Sequence, residues 1–163
     1  MRTILVVTSM AFFAGGGCDP ASSIGGGSAV ERNDLASMRT DKVVVEGQTF
    51  NVWLAETPEQ HRLGLMNVTQ DELPDDWGML FVFSNDRVRF FWMRNTLIPL
   101  DIAYINRQGQ VVKTHTMPAL TLQSFSSEQP ARYALEINAG LCAELGIDEG
   151  DAVTLPESVL PSP

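Results

Sequence analysis

The chain has 163 residues, a formal net charge of −9 and 44% apolar residues, which is enough for one hydrophobic core. An acidic chain without a basic stripe is not expected to bind nucleic acid or anionic lipid surfaces. The sequence also has no nucleophile elbow, zinc-protease motif, Cys-x-x-Cys pair, phosphate-binding loop or dinucleotide fingerprint, which argues against the common serine hydrolases, zinc proteases, redox thiols and nucleotide enzymes.

The N-terminus has the pattern of a secretory signal. Arg2 precedes an apolar stretch at residues 4–14, which is too short to span a bilayer, and three small residues lead to Cys18. A cysteine at this position is typical of a bacterial lipoprotein, so we predict cleavage after residue 17, acylation of Cys18 and a membrane-anchored protein at the periplasmic or cell surface. Cleavage without a lipid stays open, because Gly15 stands where lipoprotein signals usually carry leucine.

The mature chain is predicted to begin with a tether. Removal of residues 1–17, which contain one charged residue, changes the formal net charge from −9 to −10. Residues 18–41 are rich in Gly, Ser and Ala without an apolar period, which indicates a flexible segment. Residues 42–156 form the single predicted domain, and residues 157–163 form a C-terminal tail. If Cys18 is acylated, Cys142 has no disulfide partner and is predicted to be a small buried apolar residue.

The domain is predicted to begin with a hairpin and a short helix. Strands at 43–45 and 48–55 flank the Glu46-Gly47 turn, with three apolar residues on one face: Phe50, Val52 and Leu54. Thr57 and Gln60 then form a capping box around Pro58, which predicts a helix to about Met66 with Leu63 and Met66 packed inward.

The rest of the domain is predicted to be mainly β. Four strands are expected at 79–83, 88–93, 100–105 and 110–117, followed by a loop at 118–130, a strand at 132–137, a helix at 139–145 and a last strand at 152–155. Short connections favour antiparallel pairing. Seven or eight short strands with two short helices predict an α+β, mainly β domain, a compact antiparallel β-barrel or roll that hides its sheet edges.

Several sequence blocks resemble a known family. They are, in order, AETP at 55–58, RLGLM at 62–66, GMLF at 78–81, FWMRNT at 91–96, IPLD at 98–101 and YALE at 133–136. Together they resemble the domain of unknown function 192 (DUF192) family over about residues 43–155. The resemblance implies one exported or membrane-tethered β-rich domain and supplies no reaction. Leu141 stands where the family usually has an aromatic residue, which affects local packing.

The same blocks supply the candidate site. Trp92, Asn95 and Thr96 lie where a strand meets a turn, a position from which side chains commonly face a cleft. We predict a ligand-binding cleft that suits a sugar or peptide and is formed by Arg62, Trp92, Asn95, Thr96, Asp101 and Glu136. A structural alternative is an ion-pair network in which two buried carboxylates, Asp101 and Glu136, take donors from Arg62, Arg94 and Asn95.

The leading functional hypothesis is a non-catalytic ligand-binding or envelope-accessory domain, without a cofactor, whose partner is a small ligand or an envelope protein. One alternative is a hydrolase that uses paired carboxylates, Asp101 and Glu136, which must then share one open pocket. A second is a periplasmic copper site that combines His115 with thioether sulfurs of Met117, Met66, Met79 and Met93. A thiol nucleophile at Cys142 would need an imidazole from His61 or His115, and nothing in the sequence places one beside it.

Overall fold

The computed structural model describes residues 30–160. The predicted signal peptide at 1–17, the predicted lipid site at Cys18 and most of the predicted tether lie outside the described residues, as do residues 161–163. Within the described part, no helix is long and apolar enough to cross a membrane.

The described residues form nine strands and two short α-helices, so the mainly β prediction is confirmed. The strands are β1 (Thr40–Val45), β2 (Gln48–Ala55), β3 (Trp77–Arg87), β4 (Phe90–Phe91), β5 (Leu100–Ile105), β6 (Val111–Met117), β7 (Phe125–Ser126), β8 (Ala131–Asn138) and β9 (Val153–Thr154). The helices are α1 (Pro58–Leu63) and α2 (Leu141–Leu145), and short 3₁₀ turns occur at Leu35–Ser37, Gln70–Glu72 and Glu157–Val159.

Seven strands form one curled sheet, a half-barrel with the order β6-β5-β8-β3-β2-β1-β9. Its neighbouring strands are antiparallel except for β2 and β3, which pair in parallel. The expectation of antiparallel pairing concerned strands with short connections, whereas β2 and β3 pair in parallel because the longer α1 crossover returns the chain to the same end of the sheet. A single bridge between Gln110 and Ala152 joins the edges of β6 and β9, and the Val111 N–H donates to the Asp151 carbonyl at 2.9 Å.

The two locally predicted motifs are confirmed. Glu46 and Gly47 both have positive φ, 47° and 73°, as a tight two-residue hairpin turn requires. The Thr57 hydroxyl accepts from the Gln60 N–H at 3.2 Å, and the Gln60 side chain accepts in return from the Thr57 N–H at 3.0 Å. Gly64, with φ 47°, ends α1 at Leu63, before the expected Met66. As predicted, both Leu63 and Met66 are buried.

The region after β3 differs from the prediction. The strand expected at 88–93 shortens to β4, which pairs with β7 from inside the expected loop to form a small second sheet. The reason is side-chain bonding that replaces strand pairing: the Arg89 N–H donates to the Ser127 hydroxyl at 2.8 Å. The Met93 N–H then donates to the Thr121 carbonyl at 3.1 Å, so the segment is held by the long connection between β6 and β8.

Both faces of the large sheet are covered. One face packs a core that includes Met79, Phe81, Leu100, Ile102 and Tyr104. The other face packs a second core that includes Phe50, Val52, Leu54, Leu135 and Ile137, and α2 covers it with Cys142. Because successive side chains of a strand point to opposite faces, the apolar residues of β5 and β8 are divided between the two cores.

The packed domain extends beyond its predicted limits at both ends. Asn33 is buried, and its amide donates to the carbonyls of Gln60 at 3.2 Å and Gly64 at 2.9 Å. Met38 belongs to the core, so the packed domain starts before residue 42 and includes part of the predicted tether. Within the predicted tail, Val159 is buried and its carbonyl accepts from the Tyr133 hydroxyl at 3.1 Å. Specific partners fix these segments, and composition alone does not reveal them.

Candidate functional site

A cavity of about 530 Å³ lies between α1, the end of β3 and β4. This volume is in the usual range for small-molecule sites. The register of β3 with β8 shifts between Val82 and Arg87, where β3 bulges, and the cavity lies beside this irregular stretch. Its apolar wall is formed by Leu63, Leu65, Met66, Phe81, Phe83 and Phe91, and its rim by exposed residues, including Phe90 and Trp92.

Aromatic rings form one side of the cavity. Phe81 and Phe91 meet edge to face, with ring centroids 4.8 Å apart and planes at 88°. The His61 ring lies against Phe83, with centroids 4.5 Å apart. Nε2 of His61 lies 2.9 Å from the Ala55 carbonyl and 3.1 Å from the Val82 carbonyl, so Nε2 carries the proton. Burial lowers the pKa of His61, which favours the neutral imidazole.

Glu136 lies at the base of this cavity. On β8 its cross-strand neighbours are two apolar residues, Met79 and Ile102, and only 4% of Glu136 is exposed. An added Cβ on Gly64 would lie 3.9 Å from Glu136 Oε2, which places the carboxyl close beneath the turn that follows α1. Among residues 30–160, no side chain or N–H donates a hydrogen bond to it. Burial raises the pKa of Glu136 to about 8.

The arginines around the cavity are engaged elsewhere. Arg62 pairs with Glu59 at 2.7 Å and with Glu31 at 2.5 Å. Arg89 is buried; its Nε donates to the Ala131 carbonyl at 3.2 Å, and its guanidinium lies 3.8 Å from the centre of the Phe83 ring. Burial lowers the pKa of Arg89 to about 10. Arg89 therefore holds the Phe83 wall in place, and neither arginine compensates the Glu136 carboxyl.

The structure separates the predicted cleft residues. Four of the six line the cavity: Arg62, Trp92, Thr96 and Glu136. Asn95 does not line it; this exposed residue has φ 57°, and its carbonyl accepts from the Asn67 N–H at 2.8 Å, so it shapes a turn. The cation that contacts the Trp92 ring is Arg94, whose guanidinium lies 5.7 Å from the ring centre.

Asp101, the sixth residue, belongs to a different site. Its side chain accepts from the Thr116 hydroxyl at 2.7 Å, the Gly140 N–H at 2.9 Å and the Cys142 N–H at 2.8 Å. These bonds attach the first turn of α2 to β5, which is a structural role. Burial, together with Asp101, raises the pKa of the Cys142 thiol to about 12, so the structure gives no support to a thiol nucleophile.

The paired-carboxylate hydrolase is therefore wrong. Asp101 is aligned with Ile137, and Glu136 is aligned with Ile102, on adjacent strands. Since neighbouring residues on a strand point to opposite faces, the two carboxyls lie on opposite faces of the sheet and cannot act on one bond. The predicted ion-pair network is also wrong, because neither carboxyl bonds to Arg62, Arg94 or Asn95 in the part of the chain that the structure describes.

The copper hypothesis gains no support. Nε2 of His115 bonds to the Ser126 carbonyl at 2.8 Å, and three of the proposed sulfur donors are fully buried core residues: Met79, Met93 and Met117. Residues 30–160 contain no cluster of three or more His, Cys, Asp or Glu side chains able to hold a metal ion.

Sequence reasoning missed much of the cavity wall. His61, Gly64, Phe83, Arg89 and Phe91 all line it, and none of them was in the predicted set. A usable signal was the RLGLM block, where a glycine interrupts an apolar run directly after a helix. The phenylalanines gave no such signal, because core residues have the same pattern.

One comparison with known proteins gives the family, and none gives a reaction. The DUF192 family model, described as an uncharacterised ACR, matches residues 41–155. The crystal structure of a protein of unknown function from Novosphingobium aromaticivorans DSM 12444 matches with a TM-score of 0.71 and 32% identity, covering 86% of this chain and 100% of that one. A protein described as a candidate transcription regulator from Sinorhizobium meliloti 1021 matches with a TM-score of 0.68 and 34% identity, covering 72% of this chain and 95% of that one. Among curated proteins, none matches.

Proposed function

This chain belongs to the DUF192 family, and from that premise we propose that it is an exported, lipid-anchored domain that binds a small ligand in the cavity above Glu136 and performs no reaction on it. The cavity is the space bounded by α1, the end of β3 and β4, and its lining combines apolar side chains with charged ones. Its size and lining are those of a small-molecule site.

The Glu136 carboxyl carries this proposal. A carboxyl that is 4% exposed and receives no hydrogen bond from residues 30–160 costs folding free energy, and an apolar residue at this position would not. Uncompensated polar groups of this kind are concentrated at functional sites. Glu136 shares the cavity lining with Phe81, Phe83 and Phe91, so a bound molecule would meet both aromatic surface and a carboxyl anchor.

The surroundings of Glu136 favour binding over catalysis. Asp101, the nearest candidate for a second acid, lies on the opposite face of the sheet. His61 is neutral, and its Nε2 proton is already shared between two backbone carbonyls. Among the described residues, the cavity lining contains no serine or cysteine, and Thr96 supplies its one aliphatic hydroxyl.

The N-terminal sequence supports the export and anchoring part of the proposal. An apolar stretch after Arg2, followed by small residues and Cys18, is typical of a lipoprotein signal, apart from Gly15 in place of the usual leucine. The net charge of −9 argues against a DNA-binding regulator. Incorporation of labelled fatty acid that is lost in Cys18→Ser would support anchoring, and equal labelling of Cys142→Ser is the matched control. Absence of label from the full chain would contradict it.

A ligand screen by NMR tests the cavity. The full chain labelled with ¹⁵N would be titrated with small apolar compounds that carry amine, alcohol, amide or carboxylate groups. We expect saturable shifts at residues 61–66, 81–83 and 89–92, and weaker binding to Trp92→Ala. Leu122→Ala, which removes another exposed apolar side chain outside the lining, is the control. Saturable shifts confined to other surfaces, or no saturable shift with any compound, would contradict the proposal.

A further inference from the structure

When Glu136 is ionised, the base of the cavity offers acceptor oxygens without donors. An ionised carboxyl has acceptor oxygens only, and residues 30–160 supply Glu136 with no hydrogen-bond donor. A ligand that complements it must therefore bring N–H or O–H groups, and positive charge would make the pairing stronger.

The wall of the cavity suits a cation. Phe81 and Phe91 contact each other beside Glu136, and the faces of aromatic rings attract positive charge. Two rings that line the cavity already have guanidinium groups near their faces: Arg89 lies 3.8 Å from the Phe83 centre and Arg94 lies 5.7 Å from the Trp92 centre. An apolar ligand body would fill the remaining space, where displaced water and buried apolar area favour binding.

The charged groups around the cavity do not cancel this preference. On α1, Arg62 is paired with two glutamates and His61 is neutral. Arg89 is directed to backbone and side-chain oxygens near Asn85, and Arg87 is exposed at the rim. On β5, burial raises the pKa of Tyr104 well above its usual value, so this side chain stays neutral. The acidic chain as a whole attracts cations.

We propose, on the basis of the cavity function above, that the ligand is an organic ammonium: a protonated amine on an apolar or aromatic body, whose N–H groups donate to Glu136. In the empty cavity Glu136 holds a proton up to a pH of about 8, because burial raises its pKa. Binding of the ammonium favours the carboxylate, so the Glu136 proton leaves to solvent and the amine keeps its own.

Three probes of similar shape and different charge test the inference: 2-phenylethylammonium, 2-phenylethanol and 3-phenylpropionate. Calorimetry on the full chain at pH 7 should show the ammonium binding about tenfold more tightly than the alcohol. In Glu136→Gln, which keeps the shape and removes the charge, the ammonium should lose about tenfold in affinity while the alcohol changes little. Glu144→Gln, an exposed change on α2, should leave both affinities unchanged.

Proton release gives a second readout. Titration of the ammonium at pH 7 in two buffers of different ionisation enthalpy should show up to about one proton released per ligand bound. Glu136→Gln should release none, and its melting temperature verifies that it folds. If Glu136 had only a structural role, Glu136→Gln would change neither the proton release nor the preference for the ammonium over the alcohol.

The outcomes separate the ligand class from the cavity function. If the alcohol or the carboxylate binds in the cavity as tightly as the ammonium, the amine inference is overturned and cavity binding stands. The amine inference is also overturned, and cavity binding stands, if compounds of the NMR screen occupy the cavity and none of them is an amine. If no compound perturbs the residues of the lining, both proposals fail.

Discussion

Two buried carboxyls on adjacent strands of one sheet have opposite environments. Asp101 on β5 receives three hydrogen bonds from Thr116, Gly140 and Cys142. Glu136 on β8 receives none from residues 30–160 and lines the cavity beside α1. The two side chains are almost equally buried, at 1% and 4% exposure. Burial therefore does not distinguish a structural acid from a candidate functional acid, and the supply of donors does.

The difference in hydrogen bonding between the two carboxyls affects the free energy of folding. Hydrogen bonds to a carboxylate offset the cost of removing it from water, so Asp101 stabilises the position of α2 on the sheet. Glu136 has no such offset, so its position costs folding free energy until a ligand supplies donors. Substitutions on the two sides of the sheet should consequently have opposite effects on stability.

The largest expected effect is on the Asp101 side. Asp101→Ala leaves the N–H groups of Gly140 and Cys142 without their acceptor and should lower the free energy of unfolding by about 4 kcal/mol. Urea denaturation measures this loss. Asp148→Ala, which removes an exposed carboxyl, is the matched control. A loss no larger than that of the control would mean that Asp101 does not hold α2.

The next effect is the pH dependence from Glu136. Its pKa is about 4.5 in the unfolded chain and about 8 in the folded one, so between these values the folded state holds more protons. Stability is therefore lost as pH rises, by about 3 kcal/mol between pH 4 and pH 7 relative to Glu136→Gln. Urea titrations of both proteins at several pH values measure this difference. If the free energy of unfolding had the same pH dependence in the wild type and in Glu136→Gln, the conclusion that Glu136 lacks hydrogen-bond donors would be contradicted.

A smaller effect tests one bond of the Asp101 site. Thr116→Val removes one of the three donors to Asp101 and should cost about 1 kcal/mol in thermal or urea unfolding. Thr114→Val is the control, since Thr114 lies on the same face of β6 and its hydroxyl makes no hydrogen bond with residues 30–160. Equal losses for the two variants would show that β-propensity or packing, and not the bond to Asp101, determines the result.

The smallest effect is at the rim of the Glu136 cavity. Trp92 is 49% exposed, so Trp92→Ala should change the free energy of unfolding by less than about 1 kcal/mol. Leu122→Ala is the exposed control and calorimetric melting is the measurement. A loss of about 2 to 5 kcal/mol, as for truncation of a core side chain, would make Trp92 part of the structural core.

Local motifs were predictable because their chemistry lies within a few residues. The turn at Glu46-Gly47 and the capping box of Thr57 and Gln60 each follow from short-range backbone requirements. The parallel pairing of β2 with β3 was not predictable in this way, because it depends on the path of the chain through α1 to residue 77. The packing of Asn33 depends in the same way on carbonyls about 30 residues away.

The arrangement of the candidate site also depends on contacts between distant parts of the chain, which the sequence pattern does not predict. Glu136 and Asp101 both stand between apolar residues in strands that are buried on both faces, so the sequence pattern predicts burial for both and assigns neither to a face. Only the register between β5 and β8 separates them. Arg62 was predicted to be a partner for these acids, but it pairs with Glu59 and with Glu31, and Glu31 lies in the segment whose composition indicated a tether.

The central place of β8 in the large sheet determines the order in which the fold can be completed. Residues up to 130 can form one group of strands, β1 to β3, and a second group, β5 with β6, but these groups share no strand pairing. β8 pairs with both β3 and β5, so it joins them into one sheet only when residues 131–138 are present. An emerging chain therefore stays incompletely folded until residues 131–138 are available, which is compatible with the export that we propose.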